Sequence, residues 1–232
     1  LMAYVTLKAD QSFLEFPRHG TLQYHPSLLP RYRGPSAINW AIINGEKRTG
    51  FTIFSPNHIL DDGDILLQKE FDILEHESAG GLYRRVLLPE GVKALVDCAG
   101  MLVAGRIRKV PQHKTLATYQ GWCTKHFARI NWHNCAYQIN NLIRGCDPKP
   151  GAWTKYKNKD IVICRSKVSL RQWEACENAV HGQIVDIGQD RVTIKCGSGF
   201  IDLFEYRDES GARRNIDSLI DANKLMTGTC LS

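Results

Sequence analysis

The sequence predicts an α/β domain followed by a small β-barrel of the OB type. Three observations carry that reading. As far as Val103 the apolar pattern runs strand, helix, strand, strand, helix, which suits a sheet covered by helices. After Gly145 come short alternating runs joined by Gly-rich turns, which suits a barrel. Between them lies a basic, polar stretch holding Pro111, which reads as a linker. A length of 232 residues fits two ordinary domains, and 43% hydrophobic with 23% charged residues excludes long disorder and fibrous architectures.

Leu1-Met2-Ala3-Tyr4-Val5 is an apolar run that reads as the end of a buried strand, so the chain is expected to be a piece of a longer one. Thr21 to Tyr24 reads as a short strand entering Tyr24-His25-Pro26-Ser27-Leu28-Leu29-Pro30, where two prolines forbid a helix. Ser36 is a candidate N-cap for a helix through Ala37 to Ile43, closed by Asn44-Gly45. Gly50 to Phe54 and Ile65 to Phe71 read as strands around the loop Ser55 to Asp64. Leu82 to Val103 has helical spacing with a kink or break expected at Pro89. Asn134 to Gly145 offers one amphipathic helix through Ala136, Ile139, Leu142 and Ile143. Five short strands follow: 152–156, 161–164, 183–187, 192–196 and 201–206.

No run is apolar enough to span a bilayer, since Pro89, Glu90, Lys93 and Asp97 interrupt Val86 to Gly105. The eight cysteines form no C-x-x-C pair and lie at no zinc-ligand spacing, so they read as buried thiols of a reducing compartment, with no metal. The net charge is +6, and Cys98 to Cys146 holds no acid but seven bases, among them Arg106, Lys114, Lys125 and Arg129. That stretch is either an electropositive strip for RNA or a diphosphate-bearing substrate, or a solvated linker that lacks acids.

Two loops hold the chemistry-bearing residues. Gln23-Tyr24-His25-Pro26 and Leu60-Asp61-Asp62-Gly63-Asp64 each adjoin a predicted strand in the α/β region, where strand ends commonly form the site. An imidazole on one strand end facing a carboxylate on another is an acid–base arrangement. Asp62 and Asp64 read as turn formers beside Asp61 rather than cation ligands. Arg33 either meets an anionic substrate or pins its own loop. Trp153 and Tyr156 either stack a base or pack the barrel.

His25-Pro26-Ser27-Leu28-Leu29-Pro30-x-Tyr32-Arg33-Gly34, Ala37-Ile38-Asn39-Trp40, Thr49-Gly50-Phe51-Thr52-Ile53 and Leu60-Asp61-x-Gly63 closely resemble the 10-formyltetrahydrofolate-dependent formyltransferase family. Ile143-Arg144-Gly145-x-Asp147-Pro148-x-Pro150-Gly151-Ala152 resembles that family's C-terminal domain, so nearly the whole chain is covered. The resemblance implies the later part of a Rossmann-like catalytic domain over 1–107, its N-terminal half absent, a linker at 108–118 and an OB-like domain over 119–232. It implies 10-formyltetrahydrofolate as co-substrate and a catalytic trio at Gln23, His25 and Asp61, with Gln23 in place of the family's Asn. The pterin is implied to lie against Met2, Ala3 and Tyr4 and against Pro56, Asn57, His58, Ile59 and Leu60. The implied acceptor is water or an amine, the latter including methionyl-tRNA. The alternatives are a nucleotide-sugar N-formyltransferase and a non-catalytic folate-binding fragment. The expected compartment is the cytoplasm, with the mitochondrion left open.

Overall fold

The computed structural model describes residues 1–3, 10–157, 159–171, 176, 178–221 and 225–232. It divides into two compact units, the first of residues 1–41 and 46–122, the second of 42–45 and 123–232. Residues 108–118, read above as a linker, therefore lie within the first unit.

The first unit is built from β1 (Met2–Ala3), α1 (Gln11–Glu15), β2 (Gln23–His25), most of α2 (Ala37–Ile43), β3 (Arg48–Ser55), β4 (Asp64–Asp72), α3 (Ala79–Leu82) and α4 (Leu88–Val103). Its sheet runs β1-β2-β3-β4, parallel between β1 and β2 and antiparallel elsewhere. The α/β class is as expected, in a mixed sheet. Short β2 is buried at all its positions, and β3 is buried from Thr49 to Phe54, as central strands covered on both faces must be. Phe51, Ile53, Phe54, Leu82 and Leu87 form the core and are fully buried.

Pro89 does not break the long helix. It sits in the first turn of α4, which continues the helical run begun at Ala79. The irregularity falls just before it, as a π-helical turn over Tyr83–Leu87. Gly91 of α4 packs on Tyr24, so closely that a Cβ there would lie 2.4 Å from the ring. The helix thus comes close to the strand that carries His25.

The second unit comprises α5 (Ala136–Cys146), β5 (Ala152–Tyr156), β6 (Lys159–Val168), β7 (Ile184–Ile187), β8 (Val192–Lys195), β9 (Phe200–Arg207), β10 (Arg213–Asn215) and α6 (Asp217–Asp221). Its antiparallel sheet runs β5-β6-β9-β8-β7, with β10 beside β9. α5 starts after Cys135, whose backbone N–H donates to Gln138 Oε1 at 3.2 Å, and buries Ala136, Ile139 and Ile143. Each of the five expected strands is present. β10 has no apolar residue and is exposed throughout, so no periodicity announces it. Among the described residues no helix is long and apolar enough to cross a membrane.

Candidate active site

Alternation along β2 puts Gln23 and His25 on one face of the strand and Tyr24 on the other. Tyr24 reaches the opposite side of the sheet and donates its hydroxyl to the Leu87 carbonyl at 3.0 Å. His25 lies opposite Thr52 on β3, and Thr52 lies opposite Gln68 on β4. This row fixes the loop that follows His25. Thr52 donates its hydroxyl to the Ser27 carbonyl at 2.7 Å and accepts from Leu29 N–H at 3.0 Å. Gln68 Nε2 donates to the Leu29 carbonyl at 2.7 Å.

The chain then turns back on itself at Tyr32, whose φ is +57°. Its carbonyl meets His25 Nε2 at 2.8 Å. Two residues on, Gly34 N–H donates to Asp61 Oδ2 at 2.8 Å. Gly34 has φ +107°, and a Cβ there would lie 2.1 Å from the Gln120 carbonyl, so only glycine presents its N–H this way. Asp61 itself holds φ +51° in the loop between β3 and β4. The loop closes on Gly63, where a Cβ would lie 1.9 Å from the Ser55 carbonyl.

The result is a buried pair. His25 Nδ1 stands 3.6 Å from Asp61 Oδ2, with side chains 6% and 5% exposed. Burial pushes the imidazole below its ordinary value of 6.5; Asp61 and the Tyr32 carbonyl act against this, while Arg33 adds to it. A carbonyl oxygen only accepts, so Nε2 carries the proton of the neutral ring and Nδ1 turns its lone pair toward Asp61. A lone pair and a carboxylate facing each other form a trap for one proton. The Nε2–H that could have faced a reacting oxygen is committed to Tyr32.

Gln23 is buried on the His25 face, at the start of β2. Met2 and Ala3 pair alongside it as β1, while Tyr4 lies outside the described residues. In the β3–β4 loop Pro56 and Asn57 are half-buried, and His58, Ile59 and Leu60 are exposed. Asn57 turns inward, accepting from Ile59 N–H at 2.8 Å and donating to Asp62 at 3.4 Å.

Arg33 pins its loop. Its Nη2 meets Asp62 Oδ1 at 2.5 Å and Gln112 Oε1 at 2.6 Å. Burial acts to raise the Asp62 carboxyl, but the Arg33 and Asn57 hydrogen bonds outweigh it and hold it below the usual carboxylate range. Among the described residues no cluster of three or more metal-ligating side chains occurs.

Sequence reasoning missed the strap that holds this site. Val110 exchanges backbone hydrogen bonds with Ile65 on β4 at 2.8 and 2.9 Å. Gln112 Nε2 donates to the Asp61 carbonyl at 2.9 Å and the Gly63 carbonyl at 2.8 Å. Thr118 and Gln120 then pair with Arg33 as a strand would, through Arg33 N–H to the Thr118 carbonyl and Gln120 N–H to the Arg33 carbonyl, both 2.9 Å. The available signal was that this stretch, however polar, is rich in side chains that can cross-link loops.

In the second unit Trp153 is covered by cations, with Lys125 Nζ 5.0 Å and Arg129 Cζ 5.5 Å from its ring centroid, and its indole N–H donates to the Lys125 carbonyl.

Residues 3–98 match the formyl transferase family and residues 123–224 match the formyl transferase C-terminal domain. Human cytosolic 10-formyltetrahydrofolate dehydrogenase is 50% identical over 153 residues, or 66% of this chain. The chain spans only 17% of that dehydrogenase's length. The methionyl-tRNA formyltransferase of Alkaliphilus oremlandii is 35% identical over 221 residues, covering 95% of this chain and 70% of its own. HypX from Aquifex aeolicus, solved in complex with tetrahydrofolic acid, shares the fold with a TM-score of 0.69 at 19% identity, over 90% of this chain and 36% of its own. With the family matched over the first part and its C-terminal domain over the second, the chain belongs to the formyltransferase family.

Proposed function

We propose that the first unit takes the formyl group of 10-formyltetrahydrofolate and passes it to water, releasing formate and tetrahydrofolate. The observation that carries this reading is the buried His25–Asp61 pair, neutral on the imidazole and open at Nδ1 to one proton. The donor is supported by 50% identity over 153 residues to a 10-formyltetrahydrofolate dehydrogenase.

Water oxygen attacks the formyl carbon while one of its protons passes to the His25–Asp61 pair. The carbonyl electrons move onto oxygen, giving a tetrahedral oxyanion. Because His25 Nε2–H is held by Tyr32, the amide of Gln23 is the side-chain donor on this face for that oxygen. Collapse re-forms the carbonyl and breaks the bond to N10, which takes the collected proton as it leaves. Formic acid then loses its remaining proton to solvent. The pterin is assigned to Met2, Ala3 and the backbone of the loop 56–60, since the Asn57 side chain is already engaged within that loop. The second unit is read as the OB-like module of the family, on its five-strand antiparallel path with a flanking helix.

The amine of methionyl-tRNA is the second reading, favoured by similarity to a methionyl-tRNA formyltransferase that extends through both units. Reaction in 18O-labelled water separates the two. Transfer to water gives formate with one labelled oxygen and an equal amount of tetrahydrofolate. Tetrahydrofolate that appears only when an amine acceptor is added contradicts the water reading.

A further inference from the structure

The second unit holds two thiols in contact. Cys123 opens that unit and Cys146 is the last residue of α5. Their sulfurs lie 3.8 Å apart, with Cys146 fully buried and Cys123 9% exposed. A disulfide is about 2.05 Å long, so the sulfurs have about 1.8 Å to close.

The pair is chemically asymmetric. The Cys146 thiol hydrogen-bonds Cys123 and pushes it below the ordinary thiol value, while Cys146, through the same contact and its burial, is pushed up. Burial pushes up Cys98 and Cys164 as well, and Cys196 to about 12. Burial disfavours the thiolate at those three, whereas the Cys146 contact favours it at Cys123, which is also 9% exposed. The helix end that bears Cys146 is itself anchored, since the next residue, Asp147, accepts from Arg213 at 2.6 Å.

We propose that Cys123 and Cys146 are a reversible redox site, oxidised to a disulfide by a hydroperoxide and restored by a thiol reductant. The Cys123 thiolate attacks a peroxide oxygen, the O–O bond breaks, and hydroxide leaves with the thiol's proton as water. Cys146 sulfur then attacks the resulting sulfenic sulfur, the S–S bond forms, the S–O bond breaks and a second water leaves. Hydrogen peroxide is thereby reduced to two waters as two thiols become one disulfide. The staple ties the chain entering the second unit to the end of α5.

The test uses the unmodified protein. It is treated with hydrogen peroxide, its remaining thiols are blocked with N-ethylmaleimide in denaturant, and it is digested with trypsin. Cys123 falls in peptide 115–125 and Cys146 in peptide 145–155, each with a single cysteine. The expected result is those two peptides linked, as the first disulfide to form, and released by reductant. In Cys146→Ser the expected result is a sulfenic acid on Cys123, trapped by dimedone. Recovery of both peptides blocked by maleimide while the exposed Cys230 is oxidised would overturn the proposal.

Discussion

At the scale of single residues the site turns on which nitrogen of His25 holds a proton. Tyr32, bent into the left-handed region, fixes that choice by taking Nε2–H. Burial lowers the imidazole, so its neutral form persists below the ordinary value of 6.5. A base works only when unprotonated, so turnover is lost as pH falls through the His25 pKa, and that pKa lies below 6.5. A pH–rate profile is therefore expected to reach half its plateau at a pH under 6.5. A midpoint above 6.5 would mean that His25 is not the limiting base. His25 and Asp61 were both legible in the sequence, because their motifs stand at family spacing. The parts supplied by the backbone were not: the Tyr32 carbonyl and Gly34 N–H belong to residues whose side chains say nothing of that role.

At the scale of elements, the strap from Val110 to Gln120 decides how firmly the two loops are held. Asp61 sits at φ +51°, in the left-handed region that few non-glycine residues enter, aspartate among the more tolerant. Gln112 holds it there by binding the Asp61 and Gly63 carbonyls while accepting from Arg33. Removing those bonds frees the loop, and a displacement of ~1 Å is worth roughly a hundredfold in rate. Gln112→Ala is expected to lower kcat by about ten- to a hundredfold with KM for the folate little changed, measured by steady-state kinetics. A change in KM alone would place Gln112 in folate binding. The strap was illegible because it is polar and pairs through isolated bridges rather than a strand. Pro89 was partly legible: the proline marks where the helical hydrogen bonding changes, from the π-helical turn over Tyr83–Leu87 to α4.

At the scale of the whole molecule, two compact units hold separate groups of chemistry-bearing residues. The proposed catalytic pair His25–Asp61 and its strap belong to the first, while the thiol pair and the covered Trp153 belong to the second. The order of elements in both was legible, since buried β3 and amphipathic α5 bear strong periodicity. Acceptor choice was not, because the acid-free stretch is used in several ways. Lys125 pairs with Asp160 at 2.8 Å, and Arg144 bonds Asn141 beside it on α5. If water is the acceptor, kcat/KM is expected to change less than about twofold between 50 and 200 mM salt, because no phosphate chain is bound. A loss of about a hundredfold or more over that range would instead indicate a nucleic-acid acceptor.

The proposed role of the His25–Asp61 pair is to move the proton in formyl transfer from 10-formyltetrahydrofolate. Its most direct test is the rate of tetrahydrofolate release by the protein and by His25→Asn, with folding verified by circular dichroism. Loss of one acid–base group predicts a fall of about 10²- to 10⁴-fold in the variant. A folded His25→Asn protein that releases tetrahydrofolate within about tenfold of the original rate would contradict the account.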